Sequence, residues 1–161
     1  MSKFCIYLHL EAYLAEWLIH NLGSPVAFPP SSNENAVIRA FIQKLPPGEL
    51  PEMDDGNSVA ILIPDSVAKP PETYHYMGAR GKKAVREAIK DLFVRALWAD
   101  ISALEKSAVG LNSLIAAWCE KNGIGIDRIN TVRQAYYRIR DAYARKEINL
   151  RKSSRPRTPQ S

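Results

Sequence analysis

The sequence predicts an α+β fold: a small mixed sheet with helices in the N-terminal part and an all-helical C-terminal part. Three observations predict it. Two short runs rich in β-branched and aromatic residues, "FCIYLHL" and "SVAILIP", both lie in the first half of the chain. Apolar residues recur at helical intervals from Val85 onward. Between these regions stand Pro/Gly-rich connections rather than the regular alternation of strand and helix that builds a parallel sheet.

Taken in order, Phe4–Leu10 has the length of a strand. "EAYLAEWLIHNLG" follows with Tyr13, Leu14, Trp17 and Leu18 at helical spacing and Gly23 as a stop. Flanking prolines hold "PVAFPP" extended. "SSNENAVIRAFIQKL" predicts a second helix, capped by Ser31, Ser32 or Asn33, with Ala36, Val37, Ala40 and Phe41 on one face. After the loop "PPGELPEMDDGN" comes "SVAILIP", whose unbroken apolar run predicts burial on both faces. "DSVAKPPETYHYMGARG" is irregular apart from a short strand at Tyr74–Tyr76. A long helix is expected from about Lys82 to about Leu104, with Val85, Ile89, Leu92, Phe93 and Ala96 recurring. "LNSLIAAWCEKNG" predicts a short helix closed by Asn122-Gly123, and Asp127 is expected to cap a last helix running to about Ile148. Residues 1–78 are thus expected to form a small α+β unit, 79–150 a helical module, and 151–161 a disordered basic tail.

The chain has 161 residues, 46% of them hydrophobic and 24% charged, proportions of an ordinary globular domain that buries a core without staples. Cys5 and Cys119 are far apart with no ligand spacing, so buried thiols in a reducing compartment are expected. His9, Glu11 and Glu16 interrupt the first apolar run, against a signal peptide, and no stretch has the ~18 apolar residues of a membrane helix. A cytoplasmic protein with no membrane partner is the expectation. Net charge is +5, but its distribution is uneven. From Gly125 to Ser161, eight arginines and two lysines stand against Asp127, Asp141 and Glu147, a net +7 that leaves −2 for all that precedes. Such asymmetry points to an anionic partner at one end.

On a helical wheel, Ile129, Val132, Tyr136, Ile139 and Tyr143 fall within about 80° and define the buried stripe. Thr131, Gln134, Arg138 and Arg145 lie opposite, with Asn130 and Asp141 beside them and Arg133 and Arg140 flanking the stripe. A face that needs only solubility would more often alternate Glu and Lys. Arginine forks match phosphates and guanine edges, Gln and Asn match adenine, and Tyr137 on the flank could stack on a sugar or donate to a phosphate. The competing account is an amphipathic helix whose exposed side merely happens to be basic. The tail cations Arg151, Lys152, Arg155 and Arg157 and the scarcity of acidic neighbours favour nucleic acid.

The order "LNSLIAAWCEKNG", "IGI", "DRINTVRQAYYRIRDAY" resembles a helix-turn-helix unit, as in small DNA-binding proteins of phages and other mobile elements. The resemblance covers about a quarter of the chain and departs from the usual pattern in its two-glycine turn and long final helix. It implies that Arg128, Asn130, Thr131, Gln134 and Arg138 lie near DNA, since the second helix enters the major groove by its N-terminal part. A plain antiparallel helical hairpin is the alternative. The implied protein is a non-enzymatic regulator of transcription or replication that binds duplex DNA, as a homodimer on paired half-sites. Rival readings are an assembly adaptor whose basic end grips an acidic partner, and RNA binding, which ranks lower because the tyrosines fall mostly on the buried stripe.

Other constellations carry less. Glu16 and His20, four apart, and His9 lack any supporting metal motif, so no metal or cofactor is expected. "MDDGN" is turn chemistry. In "YHYMGARGKK", Gly78 and Gly81 bracket Arg80 ahead of Lys82 and Lys83 at a helix start, a candidate second phosphate contact without the nucleotide-binding loop pattern. No nucleophile, base and acid set is visible at motif level.

Overall fold

The computed structural model describes residues 4–105 and 107–153, with side chains as far as Lys146. In chain order the elements are β1 (Cys5–Leu8), α1 (Ala12–Leu22), α2 (Asn33–Phe41), β2 (Gln43–Lys44), β3 (Val59–Leu62) and β4 (Tyr74–Tyr76). There follow α3 (Ala79–Leu104), α4 (Leu111–Lys121), a 3-10 turn (Ile126–Arg128) and α5 (Ile129–Ser153). The fold is α+β, with two small antiparallel sheets and a helical C-terminal part.

β1 and β3 pair antiparallel, Ile6 opposite Ile61 and Leu8 opposite Val59. The extended "PVAFPP" piece joins them: Val26 donates to the Ala60 carbonyl and accepts from the Leu62 N–H, both at 2.8 Å. β2 and β4 form the second, smaller pair. Burial of β3 on both faces is not what the structure shows. Val59, Ile61 and Ile63 are buried while Ala60 and Leu62 are half-buried, because the pleat turns alternate residues toward the less covered side.

Ser32 caps α2, its Oγ accepting from the Asn35 N–H at 3.2 Å. The expected apolar face of α2 is out of phase. Its buried residues are Glu34, Asn35 and Ile38, with Val37 and Phe41 half-buried and Ala36 and Ala40 exposed. A buried polar pair in the first turn explains the shift. Asn35, only 4% exposed, donates to the carbonyls of Phe28 and Pro29 at 3.1 and 3.0 Å, and Glu34 faces Arg95 of α3 at 3.8 Å. Periodicity of apolar residues cannot reveal a face that is partly polar.

α3 is the spine. It begins at Ala79, three residues ahead of the expected Lys82, because Gly81 is a packing residue rather than a turn residue. A Cβ on Gly81 would lie 2.7 Å from Met77 Cγ and 2.8 Å from Phe41 Cβ, so glycine is what lets α2 approach. Along one side α3 buries Val85, Ala88, Ile89, Phe93, Leu97 and Ile101. One continuous apolar core runs from Ile6 and Leu8 through this stripe to Ile115, Trp118, Val132, Tyr136 and Ile139. Both cysteines are free, Cys5 half-buried and Cys119 buried, and burial pushes the Cys119 thiol up to about 11.

Among the described residues, no helix is long and apolar enough to cross a membrane. α5 continues to Ser153, five residues past the expected end. The expectation of a disordered tail falls, for residues 154–161, outside the described residues, as do the side chains of Arg151 and Lys152.

Trp118 and Tyr136 test the helical core. Trp118 donates Nε1–H to Asp100 at 2.9 Å, and the Tyr136 hydroxyl donates to Glu105 at 3.2 Å, so each aromatic body is buried with its polar tip satisfied. Replacing either with Ala is expected to cost ~2–5 kcal/mol in urea denaturation, and Tyr136→Phe only ~1 kcal/mol for the lost hydrogen bond. Equal losses for Tyr136→Phe and Tyr136→Ala would contradict this packing.

Candidate nucleic-acid interface

The interface rests on how α4 ends. Gly123 has φ +73°, the Ile124 N–H returns to the Cys119 carbonyl at 2.9 Å, and the Gly123 N–H to Glu120 at 3.3 Å. This is a Schellman stop, with buried Ile124 beside buried Cys119 supplying its apolar contact. Asn122-Gly123 therefore closes α4 as the sequence predicts. Asp127 does not cap the next helix as expected. It lies inside the 3-10 turn, whose N-cap is Gly125, and α5 starts at Ile129. Ahead of the 3-10 turn, Glu16 of α1 accepts from Gly125 N–H at 3.1 Å.

α1 thus latches the turn. Asn21 donates to Asn122 at 3.3 Å, and His20 lies so close to Gly123 that a Cβ there would be 2.7 Å from its ring. Glu16 and His20, the pair weighed as metal ligands, are instead an α1–turn contact. Among the described residues no group of three or more metal-ligating side chains occurs.

With the turn fixed, α5 presents its faces. Val132, Tyr136 and Ile139 are buried and Ile129 is half-buried, as the wheel predicts. Asn130, Thr131, Gln134, Arg138, Asp141 and Arg145 are all exposed, and Tyr137 and Arg128 are half-buried at the margins. Tyr143 departs from the expected stripe, being 40% exposed. From Asp141 to Lys146 every residue is exposed, so the helix outruns the body that packs it.

The two flanks differ. On one, Arg140 bonds Glu105 at 3.0 Å and lies over the Tyr137 ring at 4.9 Å. On the other, Arg138 stands near Tyr13 of α1: burial lifts that phenol's pKa, Glu11 adds to the rise, and the Arg138 guanidinium opposes it. Arg140 is the one α5 arginine with a carboxylate partner among the described residues.

The second basic cluster is separate. Arg80, Lys82 and Lys83 open α3, whereas α5 meets α3 around Trp98 and Glu105, roughly 25 Å further along the helix. Lys82 is tied to Glu52, and burial, then Arg86, lowers its pKa. Arg80 and Lys83 are exposed. Of the residues singled out in the sequence, the structure gathers those of α5 on one helix and leaves these three at the far end of another.

One nucleophile–base–acid grouping emerges that no motif announces: His9, Asp55 and Ser58. Its geometry does not suit proton relay. Ser58 Oγ is 3.5 Å from both ring nitrogens, which sets it against the ring carbon between them and in line with neither lone pair. Asp55 meets His9 Nε2 at 3.3 Å, with its pKa lowered first by the Asn57 N–H and then by Ser58. The grouping fastens the Asp54–Ser58 turn to β1.

Compared with known proteins, the chain matches no family model, no curated protein sequence and no solved structure. The interface therefore rests on its own geometry.

Gly123 tests the latch. Gly123→Ala places a side chain at φ +73° and against His20, so the expected loss is ~1–3 kcal/mol by thermal or urea melting. The double variant with His20→Ala should recover only the part of the steric cost due to the ring, since the His20 Cβ at 2.8 Å remains, and retain ~1–2 kcal/mol of backbone cost. No recovery would mean that His20 is not what Gly123 accommodates.

Proposed function

We propose that this chain binds duplex DNA through the exposed face of α5 and acts as a non-enzymatic regulator of transcription or replication, with copies paired on two half-sites. The observation that carries the reading is a contrast in charge pairing. Three of the six cations of α3 meet acids of preceding segments: Lys82 with Glu52, Lys90 with Glu11 at 3.5 Å, and Arg95 with Glu34 at 3.8 Å. On α5 and the turn before it, Arg128, Arg133, Arg138 and Arg145 have no carboxylate within 4 Å among the described residues. Arg138 and Arg145, exposed and unpaired, with Asn130, Thr131 and Gln134 exposed on the same helix and Arg128 and Arg133 half-buried at its margins, suit phosphate contact together with base-edge readout. Phosphate contacts start association and base contacts confer preference.

Leu104, Val109 and Ile126, the last 85% exposed, stand around α4 and favour a second reading, an adaptor that docks another protein there. Duplex titration at low salt separates the two. A flat titration leaves the adaptor as the better account.

Gln134 and Arg138 are four apart and both exposed, so both can enter one groove. Alanine at either position is expected to leave stability within about 0.5 kcal/mol. On a duplex selected from a random pool, the double variant should lose ~1–3 kcal/mol per base contact. Binding to random duplex should weaken with Arg138→Ala and change little with Gln134→Ala, which removes no charge. Failure of any preferred duplex to emerge, or undiminished binding by the double variant, would remove α5 as a recognition helix.

A further inference from the structure

Trp98 of α3 is wedged between two tyrosines of α5. Its ring stacks on Tyr143 at 4.6 Å with 15° between planes, and on Tyr136 at 5.7 Å with 26°. The tyrosines are seven residues apart, a rise of ~10.5 Å, which matches the two ring separations taken together. Trp98 therefore fills the space between them, and the three rings form one column. Its inner end is locked: Tyr136 is buried and donates to Glu105, which also holds Arg140. Its outer end is Tyr143, 40% exposed on the part of α5 where every residue from Asp141 to Lys146 is exposed. Tyr143 stacks on Trp98 and still leaves 40% of its surface exposed.

We infer that this column is a stacking platform for an unpaired base of single-stranded DNA adjoining the duplex. Resting on the duplex-binding reading above, the inference adds a preference for duplexes with a single-stranded extension. Three features support it beyond the open ring. Tyr143 lies between Arg140 and Lys146, each three residues away and hence on the same side of the helix. Arg140 uses one of its five N–H donors on Glu105 and keeps others for a phosphate. The ring is also held rigid from beneath, so little freedom is lost when a base settles on it. Base–aromatic stacking tolerates any sequence, because every base has a π-face. A residue that only had to cover Trp98 needs apolar bulk and no ring, and that difference is testable.

The experiment uses the full chain and three probes of equal duplex sequence: a blunt duplex, the same duplex with a six-nucleotide thymidine extension, and the thymidine strand alone. Wild type is expected to bind the extended duplex about 5- to 100-fold more tightly than the blunt one. Tyr143→Leu should abolish that difference, leave blunt binding within about twofold and leave the melting temperature unchanged, whereas Tyr143→Phe should keep the preference. Quenching of tryptophan emission by the extended probe should vanish in Trp98→Phe, which separates the column from Trp17 and Trp118. The inference is overturned if the extension adds no affinity, or if Tyr143→Leu binds the extended duplex like wild type. Tight blunt binding without a preference for the extension removes the platform and spares the duplex reading. Binding of the single strand with none of the blunt duplex, abolished by Tyr143→Leu, sinks the duplex reading and keeps the stacking site. Absence of binding to all three probes removes both.

Discussion

Phe93 is where the separate parts of the chain meet. Its ring, fully buried near the middle of α3, receives Tyr13 and Trp17 of α1 and Trp118 of α4 edge-on at 5.1 to 5.7 Å. Edge-to-face contact satisfies the charge distribution of each ring and fixes its angle, so three contacts on one ring constrain the orientation of three helices more tightly than aliphatic packing of equal area. Everything else hangs on this. α1 reaches the turn after α4 because Trp17 is seated there, and the sheet follows through Ile6, Leu8 and Ile61 in the same core.

Around that hub, three acids near α5 have partners other than the outer arginines. Glu16 accepts a backbone N–H of the turn, Glu105 accepts from Tyr136 and Arg140, and Asp100 accepts from Trp118. A carboxylate engaged in positioning a helix still contributes negative potential, but it lies behind or beside the exposed face, not on it. Asp141 is the one acid standing among the exposed α5 residues between Asn130 and Lys146. Three residues from Arg138 and four from Arg145, Asp141 offsets part of the positive potential of that face, and what remains is screened over about 8 Å at physiological ionic strength.

Much of this was legible in the sequence, and the parts that were not share a cause. The α+β class, the order of the elements apart from β2 at Gln43–Lys44, where the sequence predicts that the second helix continues, the Asn122-Gly123 stop and the buried Val132, Tyr136 and Ile139 follow from local patterns: periodicity, capping residues and a left-handed glycine. What local patterns miss is decided across the fold. Asp127 looks like a cap, yet the turn starts two residues earlier at Gly125, whose N–H is held by Glu16 more than a hundred positions away. Gly81 reads as the end of an irregular stretch until Phe41 and Met77 are placed against it. The buried face of α2 escapes because Glu34 and Asn35 occupy it, and a polar residue carries no apolar period. Tyr143 continues the apolar stripe on a wheel, yet a wheel does not say where the body that covers the stripe ends.

That last point bears on why α5 is so long. A helix gains little from extending past its packing surface, since exposed residues add only propensity and side-chain pairs of a few tenths of a kcal/mol. Here the extension from Asp141 carries Tyr143 onto Trp98, so one overhanging residue is anchored while its neighbours stay in solvent. The Trp98 wedge holds the overhang in line with the buried part of α5 at the cost of a single half-covered ring. Arg138, on the packed portion, and Arg145, on the overhang, lie seven residues apart on one straight helix face, a separation of ~10.5 Å set by helix geometry alone. The column fastens Tyr143 to α3, while the spacing of the two cations is that of the helix itself.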